Sequence, residues 1–238
     1  DVAPSRGLGD VYKRQHIKRV KRGLEFMKKI VLIGAGGHCK VIIDLIESLK
    51  EYEIFGVTDK KKQGTVLNYK IVGDDSKLKK IYESGIHYAF ICVGAISDLS
   101  IRNSIYSKLK SIGFKLPVLI HKDSIISPYA HAEDGTCIMA GTVINAGAYI
   151  AENCIINTGS VVEHDCIVGD NTHISPNVSI GGGTRIGYNT HIGIGSSIVQ
   201  GINIGNNVTI GAGAVVIGDI PDNVVSVGVP AKIIKVKK

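Results

Sequence analysis

From residue 126 to residue 216, an aliphatic residue stands at every sixth position of the chain without a single slip. An α-helix repeats every 3.6 residues and a strand every two, so a period of six fits only strands. Each hexad is therefore predicted to be a short strand followed by a turn, and three hexads to close one triangular coil of about 18 residues. The series predicts a parallel β-helix of about five coils over residues 122–220. Its aliphatic residues are Ile126, Ala132, Ile138, Ile144, Ile150, Ile156, Val162, Val168, Ile174, Ile180, Ile186, Ile192, Ile198, Ile204, Ile210 and Val216.

The residues between the aliphatic positions fit the same coil. Four residues after each aliphatic position stands a mostly small residue, which is predicted to fill the interior beside it. Gly, Asn or Asp dominates the remaining positions and supplies the positive φ angle that a tight corner needs. Cys154 and Cys166 hold the small inner position, so we interpret them as buried apolar side chains and not as nucleophiles.

Residues 27–121 show a different pattern, in which apolar strands alternate with amphipathic helices. Such alternation is typical of a small, parallel α/β domain of the Rossmann-like kind. Residues 221–238 follow the repeats as a C-terminal tail. The predicted strands are Lys28–Ile33, Ile54–Thr58, His87–Val93 and Leu116–Ile120, and the predicted helices are Cys39–Lys50 and Asp98–Ile112.

Residues 1–26 form a basic leader with seven basic and three acidic residues. The leader thus holds +4 of the formal net charge of +7 and leaves +3 for the rest, which argues against a nucleic-acid partner. It lacks the apolar segment of a signal peptide, and Met27 resembles a natural start, so we expect a non-native or disordered leader. The alternative is a basic arm that tethers the protein to a membrane or to RNA.

Location and metal content follow from simple counts. No run of about 18 apolar residues occurs, so no membrane insertion is expected. The five cysteines form no CxxC pair and their number is odd, which indicates a reducing, cytoplasmic location. Cys166 lies near an acid and a histidine, but its hexad position points inward, so we expect no metal site.

The first candidate binding motif is the glycine turn Gly34–Lys40, between a predicted strand and a predicted helix. Backbone N–H groups and the positive end of a helix dipole suit a phosphate there, and His38 and Lys40 add donors for a diphosphate. A dinucleotide fingerprint needs a third glycine where Cys39 stands, so NAD is the weaker interpretation. Asp59 ends the second strand, where an acid can bond a ribose or a base edge. The alternative is a plain tight turn without a ligand.

The second motif is the pair of acids, Glu163 and Asp165, on either side of His164. The hexad position of His164 points outward or lies near a corner. A neighbouring carboxylate orients an imidazole and stabilises its protonated form, so we predict that His164 is a general base. The alternative is a solvated surface histidine.

A third candidate is His173, nine residues further on, which could donate a hydrogen bond to a thioester carbonyl. His131 and His191 share its place in the hexad and have no obvious partner in the sequence. The role of His173 therefore stays open at this level.

Several motifs together resemble one family of bacterial sugar acyltransferases with hexapeptide repeats. This family contains UDP-4-amino-sugar N-acetyltransferases, sialic acid O-acetyltransferases and perosamine N-acetyltransferases. The resemblance covers residues 27–238 and implies a left-handed β-helix, acetyl-CoA as co-substrate, a role in glycan biosynthesis and a homotrimer with active sites at subunit interfaces. The motifs are Gly34–Lys40, Asn157-Thr158, Glu163–Cys166, Gly169-Asp170, His173–Pro176 and Gly228–Lys232.

The resemblance also implies roles for individual residues. His164 matches the catalytic base and Asp165 the acid that supports it, and no metal takes part. The implied acetyl-CoA contacts are His173, Gly182, Ile194 and Lys232. The implied nucleotide-sugar contacts are Gly36, Gly37, His38, Lys40, Thr58, Asp59 and Gly73.

These features predict direct transfer of an acetyl group from acetyl-CoA to the amine of a UDP-linked 4-amino sugar. No acyl-enzyme is expected, because no cysteine or serine pairs with His164 in the sequence. Two alternatives stay open, which are O-acetylation of sialic acid or another sugar and N-acetylation of a GDP-linked sugar of the perosamine type. A non-catalytic scaffold would leave the arrangement of Glu163, His164 and Asp165 without a purpose.

Overall fold

The computed structural model describes residues 27–94 and 99–237. The leader at residues 1–26 lies outside the described residues, as does Asp98, with which the second predicted helix begins. Within the described ranges, no helix is both long enough and apolar enough to cross a membrane.

The N-terminal domain is a five-stranded sheet with the strand order β3-β4-β2-β1-β5. Strand β3 is antiparallel to β4, and the other pairs are parallel. The elements are β1 (Lys28–Ile33), α1 (Gly37–Leu49), β2 (Tyr52–Thr58), β3 (Thr65–Val66), β4 (Tyr69–Gly73), α2 (Leu78–Glu83), β5 (Tyr88–Ile91) and α3 (Ser100–Ile112). The predicted α/β domain is thus confirmed, and the structure adds β3, β4 and α2, which are too short to show a period in the sequence.

The central strand β1 is apolar on both sides because helices cover both faces of the sheet. Ile30 and Leu32 pack in one cluster with the buried side of α1. Val31 and Ile33 pack in a second cluster with residues of α2 and α3. This burial fixes the glycine turn that follows β1 at the carboxyl edge of the sheet.

The repeat region is a triangular prism of two-residue strands, each paired in parallel with the strand one coil further on, as Val143 pairs with Val161. The strands are β6 (Leu119–Ile120), β7 (Ile125–Ile126), β8 (His131–Ala132), β9 (Cys137–Ile138), β10 (Val143–Ile144), β11 (Tyr149–Ile150), β12 (Ile155–Ile156), β13 (Val161–Val162), β14 (Ile167–Val168), β15 (His173–Ile174), β16 (Ser179–Ile180), β17 (Arg185–Ile186), β18 (His191–Ile192), β19 (Ser197–Ile198), β20 (Asn203–Ile204), β21 (Thr209–Ile210) and β22 (Val215–Val216). The first face carries β6, β9, β12, β15, β18 and β21, the second face β7, β10, β13, β16, β19 and β22, and the third face β8, β11, β14, β17 and β20. Three strands make one coil, so these strands form the five coils that the period predicts, and two strands remain.

Both ends of the prism extend beyond the repeat series. Leu119–Ile120 pairs with Cys137–Ile138 of the prism, so the predicted strand Leu116–Ile120 starts the first face and is not part of the α/β sheet. At the other end, β23 (Val224–Val227) pairs in parallel with β21, and β24 (Lys232–Val236) folds back against β23. The predicted tail is therefore a hairpin that continues the first face.

The interior of the prism is a column of aliphatic side chains, as the period predicts. Every aliphatic residue of the series from Ile138 to Val216 is buried. Cys154 and Cys166 lie wholly buried beside them, which confirms that they are packing residues. Burial of one large aliphatic side chain contributes about 1.5–3 kcal/mol, so stacked coils stabilise a region that has almost no aromatic core.

The α/β domain covers the first face of the prism. Cys39 and Cys92 of that domain pack in one apolar cluster with Cys137 and Ile155, which point outward from the first face. Side chains of the first face that would otherwise meet solvent are thereby buried. The glycine turn after β1 is brought against the prism by this contact.

Candidate active site

His164 lies on the edge where the second face of the prism turns into the third. Its Nδ1 is 2.9 Å from Oδ2 of Asp165, and the two side chains are 65% and 72% exposed. The hydrogen bond that His164 donates to Asp165 raises the pKa of His164 above its ordinary value, and the charges of Asp165 and Glu163 act in the same direction. With Nδ1 engaged, Nε2 has no partner among the described residues and is the atom that can accept a proton.

Asp165 occupies a corner that carries Gly or Asn at every other hexad from Gly135 to Gly213. Its φ angle of 59° is left-handed, as at the equivalent corners Asn171 and Asn189. A short polar side chain tolerates this conformation, so the acid is not a source of severe strain. Its Oδ1 lies over Gly147 of the preceding coil, where any Cβ would overlap it. An acid at a Gly/Asn corner is therefore the sequence signal that marks this coil.

Glu163 holds the other side of the site. Its Oε2 accepts hydrogen bonds from Nδ2 of Asn145, at 2.9 Å, and from the backbone N–H of His164, at 3.4 Å. The backbone of His164 is thus fixed to the preceding coil, while its ring is oriented by Asp165. This arrangement can deprotonate a nucleophile that approaches from solvent.

Gly182 lies one coil beyond His164 on the same edge, directly against the imidazole ring. A Cβ built on Gly182 would stand 2.5 Å from Nε2 of His164 and 2.7 Å from Cε1. Pro128 and Pro176 occupy the equivalent place at other corners, so the backbone N–H at this place is not needed by the strand ladder. The structure therefore brings the predicted base and the predicted CoA-lining residue together, with a backbone N–H beside the base.

We expect the exchange Asp165→Asn to move the acid limb of the pH–rate profile to lower pH. His164 must be neutral to accept a proton, and Asp165 raises its pKa, so the base stays protonated up to a higher pH in the natural protein. Removal of that charge lowers the pKa and weakens the base, and the plateau rate should fall about tenfold. Asn fits the corner conformation, so the fold should be unaffected. Initial rates measured from pH 5 to pH 9 check this, and an acid limb that stays in place would contradict it.

A second group of polar residues lies on the first face, under the α/β domain. His173 is only 6% exposed, and its Nε2 is 3.2 Å from Nδ2 of Asn157. Its ring stacks on that of His191 at 5.1 Å between centroids, and Nε2 of His191 is 2.9 Å from Oγ of Ser175. Asn157 lies one coil before Ser175 on the same corner. The repeat pattern alone does not indicate that Asn157 contacts His173.

His131 and His191, which have no obvious partner in the sequence, both have partners in the structure. His191 contacts Ser175 and His173. His131 lies 3.0 Å from Glu133 and stacks on Tyr149 on the third face. Glu133 is only two residues from His131 and could have been found in the sequence, whereas Tyr149, Ser175 and His173 lie one coil from their partners, 16 to 18 residues distant.

His38 joins this second group from the α/β domain. Burial, followed by the charges of Arg102 and His173, lowers the pKa of His38 to about 3. The ring is therefore neutral at physiological pH. Its Nε2 is buried and has no hydrogen-bond partner among the described residues, so this atom is available to a ligand.

The glycine turn itself is held by Asp59. Its Oδ2 accepts the N–H of Ala35 at 2.8 Å, and its Oδ1 accepts those of Lys61 and Lys62 at 2.9 and 2.8 Å. Burial alone would raise the pKa of Asp59, but these hydrogen bonds outweigh it and hold the pKa below its ordinary value. Asp59 therefore shapes the turn as an anion, and Lys62, which the sequence did not single out, donates from Nζ to the carbonyl of Ala35 at 2.8 Å.

A cleft of about 360 Å³ opens beside this turn. Gly36 and Gly37 border open space, since a Cβ on either would meet no atom within 4 Å. Thr58 is buried, and its hydroxyl is 3.5 Å from Asp75, so it supports the turn from beneath. The carbonyl of Gly73 accepts the N–H of Asp59 and plays a similar part. The cleft is lined by Ala35, Lys40, Lys62, Gln63, Thr65, Val66, Leu67 and Ile71.

Ile194 and Lys232 lie apart from His164 within one chain. Ile194 is exposed on the edge between the first and second faces, which it shares with Asn157. Lys232 begins β24 and is exposed. The whole second face separates this edge from the edge that carries His164, so the predicted site is divided into two half-sites within one chain.

Two family models match parts of this chain. The family model described as the PglD N-terminal domain matches residues 29–109, and the bacterial transferase hexapeptide model matches residues 147–182. The acetyltransferase domain of PglB from Neisseria gonorrhoeae, whose structure is also known with acetyl coenzyme A, is 38% identical. Its TM-score is 0.83, and the alignment covers 87% of this chain and 100% of that chain.

Two further solved structures are similar. PerB from Caulobacter crescentus, solved with CoA and GDP-perosamine, is 36% identical with a TM-score of 0.83. The alignment covers 90% of this chain and 100% of PerB. WeeI from Acinetobacter baumannii is 25% identical with a TM-score of 0.76, and the alignment covers 88% of this chain and 100% of WeeI.

Proposed function

Because this chain belongs to the family of hexapeptide-repeat acetyltransferases with a PglD-type N-terminal domain, we propose that it acetylates the amine of a nucleotide-linked 4-amino sugar. Acetyl-CoA is the acetyl donor, as the acetyl-CoA complex of the PglB domain and the CoA complex of PerB support. The observation that carries the proposal is the His164–Asp165 pair against Gly182. We place the reaction in the cytoplasm. We propose that the nucleotide on the sugar is UDP, with GDP as the alternative nucleotide.

The proposed reaction is a direct transfer. The sugar amine attacks the thioester carbonyl of acetyl-CoA while Nε2 of His164 takes one amine proton. The backbone N–H of Gly182 stabilises the oxyanion of the tetrahedral intermediate. The C–S bond then breaks, and the protonated His164 gives its proton to the sulfur, which leaves an acetamide and free CoA. No acyl-enzyme is required, since all five cysteines are buried.

The nucleotide is proposed to bind in the cleft beside the glycine turn. The first N–H groups of α1 and the ammonium groups of Lys40 and Lys62 suit a diphosphate. The sugar would then extend towards the buried Nε2 of His38 and the first face of the prism. Its amine would lie near Asn157 and His173, where we place the acetyl end of acetyl-CoA.

A homotrimer is proposed because it joins the two half-sites. The outward side chains of the second face carry no charge; they are Ile125, Val143, Val161, Ser179, Ser197 and Val215. Three prisms with their second faces towards a threefold axis would place the His164 edge of one protomer beside the Asn157 and Ile194 edge of its neighbour. CoA would lie in the groove between them, with Lys232 near its phosphates.

We expect Lys62→Met to weaken binding of UDP about tenfold, because a hydrogen bond to a charged group contributes about 1.5 kcal/mol or more. Binding of uridine, which has no phosphate, should not change. The matched control is Lys61→Met, which removes the neighbouring exposed lysine and should stay within about twofold of the natural protein. Calorimetric titration measures all three proteins. Equal losses in both variants would show that only the overall charge matters.

The proposed function is tested by thiol release from acetyl-CoA in the presence of a UDP-linked 4-amino-4,6-dideoxy sugar, a GDP-linked 4-amino sugar or free sialic acid. Release with a nucleotide-linked amino sugar supports the proposal and identifies the nucleotide. Release with sialic acid alone would replace it by O-acetylation. Absence of release with every acceptor would contradict it.

A further inference from the structure

Arg102 of α3 is 1% exposed, and within the part of the chain that the structure describes its guanidinium group donates to four backbone carbonyls. Nη1 donates to the carbonyls of Ile91 and Val93, at 3.0 Å each. Nε donates to the carbonyl of Asn153 at 3.3 Å, and Nη2 donates to the carbonyl of Gly135 at 3.4 Å. A buried charge without a carboxylate is costly unless its donors are satisfied, and these four acceptors satisfy most of them.

The four carbonyls come from both domains. Ile91 ends β5 of the α/β sheet, and Val93 follows it beside the glycine turn, where a Cβ on Gly34 would stand 2.7 Å from Cγ2 of Val93. Gly135 and Asn153 are corner residues of the prism, at the edge between the third and first faces. One planar group thus joins the carboxyl end of the sheet to two successive coils.

We propose that Arg102 is a positioning residue that fixes the nucleotide-sugar turn at its working distance from the acetyl-transfer surface of the prism. This inference rests on the proposed function, in which the sugar is held by the α/β domain and the acetyl group by the prism. A displacement of about 1 Å between reacting groups can lower a rate about 10²-fold. The domain contact therefore sets the rate as well as the stability.

The choice of arginine supports this role. An apolar side chain of similar volume could fill the same space, so packing alone does not require a guanidinium group here, but only a guanidinium donates to the four carbonyls that Arg102 binds. A rigid fork that binds four carbonyls fixes direction and distance, which an apolar side chain or a lysine does not. Arg102 also contributes, after burial, to the low pKa of His38, so its charge acts on the ring whose buried Nε2 has no hydrogen-bond partner among the described residues.

The same helix offers a matched control. Nδ2 of Asn103 donates to Oδ1 of Asn189 at 2.8 Å, and the hydroxyl of Tyr106 donates to Glu152 at 2.7 Å. Both bonds join α3 to the prism edge that Arg102 contacts. Neither involves β5 or the glycine turn. Loss of either one weakens the interface without releasing the turn.

The test compares Arg102→Met, Arg102→Lys, Asn103→Ala and Tyr106→Phe in the full chain. For Arg102→Met we expect kcat/KM for the amino sugar to fall about 10²-fold, with the affinity for UDP or GDP, whichever the natural protein binds, within about twofold. Arg102→Lys should be intermediate, and the two control variants should stay within about threefold. By NMR, the pKa of His38 should rise in Arg102→Met and not in Asn103→Ala.

Two results would overturn the inference, namely an unchanged kcat/KM in Arg102→Met or an equal loss in Asn103→Ala. If Arg102→Met does not fold, Arg102→Lys decides, because a retained kcat/KM there would contradict the need for the fork. If the natural protein acetylates no sugar, the proposed function fails, and calorimetry still tests whether Arg102 fixes the two domains to each other. Arg102→Met should then unfold in two transitions and Asn103→Ala in one. A single transition in Arg102→Met would overturn the inference.

Discussion

Replacement of His164 by alanine is expected to lower kcat by about 10²–10⁴-fold, which is the usual contribution of a general base. The ring is exposed and holds no part of the core, so the fold and the assembly should be unaffected. Within the described residues, His164 is the only histidine on this edge that pairs with an acid at a Gly/Asn corner. Its Nε2 is left free to accept a proton. Thiol release measures the rate, and light scattering measures the mass of the assembly.

The control for this result is His131→Ala. His131 is also exposed and also lies 3.0 Å from a carboxylate, that of Glu133, but it belongs to the third face. We expect its rate to stay within about twofold of the natural protein, because an isolated surface pair contributes little. If His164→Ala releases thiol as fast as the natural protein, His164 has no part in the mechanism. Equal losses of rate in both variants would show a non-specific effect.

Mixed assemblies extend the His164 experiment to the trimer. His164→Ala and His173→Ala should each be nearly inactive, since each destroys one half-site. In trimers assembled from equal amounts of both, about one quarter of the interfaces would join two intact half-sites, so about one quarter of the natural activity should return. Activity that stays absent after co-assembly would place both histidines in the same protomer's site.

The prism could be predicted from the sequence in detail because every coil obeys one rule. The interior position, the outward position and the corner each recur every six residues, so a residue's face follows from its number alone. His164 and Gly182 are 18 residues apart and therefore one coil apart, so the repeat by itself places Gly182 beside the base. The corner rule would also single out Asp165, since the other equivalent corners from Gly135 to Gly213 carry Gly or Asn.

The contact between the domains could not be predicted in this way. Arg102 bonds a carbonyl 51 residues away in Asn153, and His38 is influenced by His173, far along the chain. No period links an α/β domain to a β-helix, so the sequence does not indicate which face is covered. From its helix alone, Arg102 would be interpreted as an ordinary surface charge. Its burial follows only from the way in which α3 rests on the prism.

The exchange Gly182→Ala is expected to lower kcat about 10²-fold without loss of stability. The new Cβ would stand 2.5 Å from Nε2 of His164 and 2.7 Å from Cε1, so the ring must move. Since that ring is the far end of an exposed side chain, it can swing away, and the backbone of Gly182 lacks the positive φ that would strain an alanine. The prism should therefore keep its melting temperature while the base loses its position beside the oxyanion donor.

Gly218→Ala is the matched control, because Gly218 holds the same corner place two coils further along the same edge and a Cβ there meets no atom within 4 Å. We expect its kcat to equal that of the natural protein. The comparison separates a crowded base from a generally perturbed edge. If Gly182→Ala instead keeps its kcat and loses only affinity for acetyl-CoA, Gly182 lines the CoA channel without positioning the base. If it keeps both, the approach of His164 to Gly182 has no part in the reaction, and the oxyanion donor must be sought elsewhere.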